Sequence, residues 1–111
     1  MKNFIAYQLA LHAARSLQPV LGAIAQRDAD LERQLRRAMS SAVLNLGEGN
    51  RRRGQDRRYH FRVSASSAAE VTAGIDLALA WDYLATHQTE AVLRELDGLA
   101  AVLWRLTEQR R

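Results

Sequence analysis

The chain has 111 residues, 48% hydrophobic and 25% charged, with six glycines, one proline and no cysteine. That length has room for one hydrophobic core, and the composition excludes a disordered tail, disulfides, thiolate metal sites and cysteine nucleophiles. The net charge of +4 is unevenly placed: residues 33–62 hold nine arginines against Glu48 and Asp56, a local balance of +7, whereas the first 32 residues are balanced and the remainder is acidic.

The first segment repeats apolar residues at Phe4, Tyr7, Leu11, Ala14, Leu17, Leu21 and Ile24, the spacing that lines one face of an α-helix, and predicts a helix over about residues 3–26. Pro19 lies inside it; a proline removes an amide donor and crowds the carbonyl four residues back, so a bend near Arg15 to Pro19 is expected rather than a chain reversal. Arg27 to Asp30 make a polar break in which either aspartate can cap the next helix. That helix, predicted over 29–48, carries Leu31, Leu35, Ala38, Met39, Ala42 and Leu46 on one face and weakens at Gly47 and Gly49.

Glu48 to Gln55 read as an arginine-rich loop, followed by a third helix over 56–85, near 45 Å long at about 1.5 Å per residue. Between Val63 and Trp81 its only charges are Glu70 and Asp76, so it is apolar around most of its circumference and should be buried on more than one side. Thr86 to Thr89 supply a turn. A fourth helix over 88–109 then carries the stripe Val92, Leu96, Leu99, Leu103 and Leu106. Four helices on short connections predict an all-α, antiparallel up-and-down four-helix bundle forming one domain over residues 1–111. No run of about 18 apolar residues and no uninterrupted apolar leader occurs, so the expected location is cytoplasmic, without membrane contact.

Specific residues carry a resemblance. Gln34-Leu35-Arg36-Arg37-Ala38, then Ser41 and Asn45-Leu46-Gly47-Glu48-Gly49, form one block; Arg52, Arg53, Tyr59, Phe61, Ala65, Ser67 and Glu70 form a second. Together they resemble the four-helix bundle proteins encoded in intervening sequences of bacterial 23S ribosomal RNA genes, relatives of the accessory variability proteins of diversity-generating retroelements. Two positions depart from the family pattern: Gly47 stands where alanine is usual, and Ser66 where glycine would favour close helix approach. The resemblance implies a ring of five subunits with no known enzymatic activity. For the retroelement relatives it also implies binding of nucleic acid and a reverse transcriptase through a basic surface.

In an antiparallel hairpin between the second and third helices, residues whose numbers sum to about 107 lie side by side. This places Arg37 level with Glu70, as a partly buried ion pair near Ser67, within a polar network that registers the helices. Asn45 and Glu48 are expected to satisfy free backbone groups where the second helix ends. Arg51, Arg52, Arg53, Arg57 and Arg58 surround the turn beside Tyr59, His60 and Phe61. They have two readings: a solvated or subunit-pairing cluster, or a phosphate-binding surface with rings on which bases stack.

His12, His60 and His87 fall on three segments and no Glu-x-x-His pair occurs, so neither metal nor other cofactor is expected. No phosphate loop, nucleophile elbow or dinucleotide fingerprint is present, and the expectation is a protein that is not an enzyme. The partners expected are other copies of the chain, docked through the third helix with Trp81 and Trp104, and RNA or DNA at the arginines. An adaptor that meets only proteins is the other reading.

Overall fold

The computed structural model describes residues 4–108. Four helices follow one another: α1 Ile5–Ala25, α2 Ala29–Asn50, α3 Gly54–Ala80 and α4 Glu90–Glu108, with a 3₁₀ turn Thr86–Gln88 before α4. The expected limits at residues 3 and 109 lie outside the described residues. Each helix packs on two others, α2 on α1 and α3, α4 on α3 and α1, which closes an all-α bundle about 44 Å long. No described helix is long and apolar enough to cross a membrane.

The core is the sum of the four stripes. In α2 every expected residue, Leu31, Leu35, Ala38, Met39, Ala42 and Leu46, is buried, and in α4 Val92, Leu96, Leu99 and Leu103 are. The N-terminal half of α1 differs: its inward face is Ala6, Ala10 and Ala13, while Phe4, Tyr7 and Ala14 pack on the flank of the core. Methyl side chains let α1 lie close to its neighbours, and the larger rings then seal the edge of the seam. Pro19 stays on an exposed surface inside α1, so the chain does not reverse there.

Two helix ends depart from expectation for identifiable reasons. α2 does not weaken at Gly47 and Gly49 but runs to Asn50. Gly49 is buried, and a Cβ there would fall 2.7 Å from Phe61 Cε1, so the glycine permits a close helix approach rather than a helix end. α3 stops at Ala80, five residues early. Asp82 takes the left-handed conformation at φ 61°, and the amides of Asp82 and Tyr83 return to the carbonyls of Leu79 and Ala78 at 3.0 and 2.9 Å. This is a Schellman closure built on aspartate instead of glycine, which hides it from a search for glycine stops.

The turns at 26–28 and 81–85 meet at one end of the bundle. Asp28 caps α2 by accepting the Leu31 amide at 3.0 Å, and its other oxygen accepts the Tyr83 hydroxyl at 3.0 Å. Arg27 lies over the Tyr83 ring, 5.4 Å from its centre, and reaches the Asp82 carbonyl. The opposite end holds Phe4, the connection at 51–53 and the last turn of α4.

Candidate nucleic-acid interface

The α2–α3 seam positions everything at that opposite end. Ser64 Oγ donates to the Ala42 carbonyl at 2.8 Å, Ser41 and Ser67 share a 2.8 Å hydroxyl contact, and Asn45 meets His60 at 2.9 Å, all in the antiparallel register read from the sequence. The seam is tight because small residues face it. A Cβ on Gly74 would lie 3.0 Å from Leu35 Cγ, as one on Gly49 would press into Phe61. Ser66, where the family pattern has glycine, is exposed and stands clear of this approach.

Of the five residues of the expected network, Asn45 and Ser67 are joined through Ser41, whereas Arg37, Glu48 and Glu70 stand outside it. Arg37 and Glu70 are both exposed, and among the described residues neither has an ion-pair partner, so the partly buried pair does not form. The register is right, yet at that level both side chains point off the shared face. Asn45 sits a full turn inside α2 and holds Ser41 and His60 rather than capping the helix end. Glu48 turns instead to Arg52. The residue missed was His60: the register sets Asn45 level with Arg62, and its partner lies two residues earlier, at a ring expected only as a stacking surface.

The five arginines divide by what they touch. Arg52 bridges one turn back to Glu48, Nε to Oε2 at 2.9 Å, and one turn forward to Asp56, Nη1 to Oδ2 at 2.7 Å. Its donated hydrogen bond, and then its charge, hold the Glu48 carboxyl below the usual range, while the two carboxylates make Arg52 still harder to deprotonate. Arg57 is half-buried, donates to the carbonyls of Gly49 and Asn50 at 3.3 Å, and lies 4.7 Å from the Phe61 ring centre. It closes the C-terminus of α2, where carbonyls are free and the helix dipole favours a cation.

Arg51 and Arg53 are exposed and Arg58 is half-buried; among the described residues none of the three guanidinium groups has a hydrogen-bond or ion-pair partner, although the charge of Arg51 reaches Glu48. Gly54, at φ +58°, turns the chain into α3 and separates Arg53 from Arg57 and Arg58. Tyr59 is 58% exposed beside them. With Arg52 occupied by two acids and Arg57 by backbone, the surplus charge of this end resides in Arg51, Arg53 and Arg58. Guanidinium groups so placed can make forked contacts with phosphate oxygens, and a neighbouring exposed ring can stack on a base.

Such a fold, four antiparallel helices with a basic turn between the second and third, defines a class of small helical-bundle proteins. The chain belongs to the 23S rRNA-intervening sequence protein family, whose model matches residues 2–105. It is also similar to a crystal structure of a protein with unknown function from the S23 ribosomal protein family of Bacteroides thetaiotaomicron. The two share 15% identity and a TM-score of 0.82, over 94% of this chain and 99% of that one, which establishes a common fold. No curated protein matches the sequence.

Proposed function

We propose that this protein is a non-enzymatic assembly unit, a homopentamer, that presents its arginine turn to nucleic acid. The observation that carries the reading is the group Arg51, Arg53 and Arg58, cationic and without direct ion-pair partners among the described residues, beside exposed Tyr59. Counterion release makes such a cluster favour a polyanion, and repetition around a ring multiplies each weak contact.

Self-association is supported by apolar surface that the bundle leaves uncovered. Leu44 is 69% exposed on the α1–α2 side, and Trp104 is 66% exposed on the α3–α4 side, in a groove of about 570 Å³ lined also by Ala65, Ala69 and Ala100. Two different patches on opposite sides suit a heterologous contact, which closes into a ring when the rotation permits. The count of five rests on the family resemblance.

The reading is tested by fluorescence anisotropy with RNA and DNA oligonucleotides across a salt series, together with light scattering. Affinity that falls steeply with salt, on a particle several times 12.5 kDa, is the expected result. A 12.5 kDa particle would remove the ring, and absence of binding at low salt would remove the polyanion. Retention of a co-purified protein without nucleic acid would favour the adaptor reading, for which the exposed Leu44 and Trp104 supply the contact surface.

A further inference from the structure

The chain of hydrogen bonds behind the basic turn fixes more than register. Asn45 Nδ2 donates to the Ser41 backbone carbonyl at 3.0 Å and reaches Ser41 Oγ at 3.3 Å, and Ser41 Oγ is held in turn by Ser67 at 2.8 Å. A carbonyl only accepts, so the Asn45 amide has one orientation, with Oδ1 toward His60 Nδ1 at 2.9 Å. That oxygen also only accepts, so Nδ1 carries the proton. In the neutral ring the lone pair then belongs to Nε2.

Nε2 has no hydrogen-bond partner among the described residues, and the half-buried ring does not enclose it completely. The Tyr59 ring stands edge-on to the imidazole, 5.3 Å between centres, and a Cβ on Gly49, two residues before Arg51, would lie 3.0 Å from His60 Cβ. A half-buried histidine with a locked ring and an open lone pair is thus set against an exposed tyrosine, at the end of α2 that leads into exposed Arg51.

We infer that His60 Nε2 is an acceptor for the ribose 2′-hydroxyl, so that the basic turn selects single-stranded RNA over DNA. This rests on the proposed nucleic-acid reading and specifies its ligand. A bare lone pair cannot bond phosphate oxygens, which are themselves acceptors; those are left to Arg51 and its neighbours. The site needs a donor within one nucleotide of a phosphate and of a stacked base. RNA offers the 2′-hydroxyl at each residue and DNA has none there. Single strands are required because Tyr59 can stack only on a base released from a duplex.

The test uses fluorescein-labelled single strands of one sequence, as RNA, as DNA, and as 2′-fluoro RNA, which keeps an acceptor but loses the donor. The intact protein should bind RNA about fivefold more tightly than either other strand, the scale of one net hydrogen bond per site. His60→Phe keeps a ring and removes the lone pair; the ratio of RNA to DNA affinity should fall to about one, with circular dichroism on the same sample showing that the variant is folded. Equal binding of the three strands by the parent, or equal loss for RNA and DNA in His60→Phe, overturns the assignment while leaving the polyanion site standing. A parent that binds no strand at low salt removes the underlying reading and this one with it.

Discussion

The two ends of the bundle are built from similar residues and use them in opposite ways. At the 26–28 and 81–85 end, arginine, aspartate and tyrosine close on one another: Tyr83 donates to Asp28, Asp28 caps α2, and Arg27 covers Tyr83. At the 48–60 end, two acids meet five arginines, and both acids go to Arg52. The first end is a clasp across two connections that leaves little charge for a partner. The second satisfies only what its backbone needs and leaves Arg51, Arg53 and Arg58 in water. What separates a structural cluster from an interface here is whether the polar groups of that end find one another, and residue type alone does not decide it.

The strongest way to break this contrast is to remove the surplus. Arg51→Ala, Arg53→Ala and Arg58→Ala combined should lower single-stranded RNA affinity at low salt by about 100-fold and flatten the log–log salt slope by about 2, at roughly 0.7 per phosphate. Stability in urea should stay within about 0.5 kcal/mol, since none of the three side chains has a hydrogen-bond or ion-pair partner among the described residues. Parent-like RNA affinity in this variant would mean that exposed charge at this end is only a solvated surface.

Next in size is the seam that delivers the turn. Gly49→Ala should cost about 2 kcal/mol, because the new methyl presses on the buried Phe61 ring and on His60 Cβ, and overpacking is costly in a filled core. Gly22→Ala is the control: it meets open space within α1 and should stabilise by about 0.5–1 kcal/mol through helix propensity. Urea midpoints of the two variants should therefore move in opposite directions. If both rose, the close approach of α2 and α3 would not be holding the basic end in place.

Asp28→Ala probes the clasp. It removes a helix cap and leaves the Tyr83 hydroxyl without its acceptor, so a loss of about 1.5 kcal/mol is expected, with RNA affinity untouched. Chemical denaturation and anisotropy on the same sample would show whether the two ends are separable. A change in affinity would couple them.

Much of this was legible in the sequence. Helix identity followed from apolar spacing, and the α2 and α4 stripes were read correctly because each has a single apolar face. The α1 face was harder: alanine and larger residues both recur at helical spacing there, and packing distance, which a sequence does not print, put Ala6, Ala10 and Ala13 inside. Glycine had two meanings. Gly49 marks a close contact within a continuing helix, while the true stop of α3 uses Asp82 in a conformation usually given to glycine. At the site, the hairpin register was visible to within about two residues, setting Asn45 level with Arg62 where it meets His60, and Ser67 near Arg37 where it meets Ser41. It could not assign side-chain direction, which is why Arg37 and Glu70 do not pair, and its offset of about two residues set Asn45 level with Arg62 instead of His60.

The smallest effect separates the ends by pH. Glu48 is held below the ordinary carboxyl range by the hydrogen bond and then the charge of Arg52, so its contribution is present above the unfolded carboxyl value and is lost as pH falls through the folded one. Tyr83 is pushed above the ordinary phenol value, first by burial and then by its bond to Asp28 and that carboxylate's charge; its contribution is complete below the unfolded value and is lost as pH rises through the folded one. Glu48→Gln should therefore flatten the acid limb of a stability profile and leave the alkaline limb, and Tyr83→Phe should do the reverse. Salt sharpens the distinction, since the Glu48–Arg52 pair is exposed and screened, while the burial that raises Tyr83 does not depend on ionic strength. An acid limb that persisted in full without the Glu48 carboxylate would mean that Arg52 gains nothing from bridging, and that the near end has still more free cation to offer a polyanion.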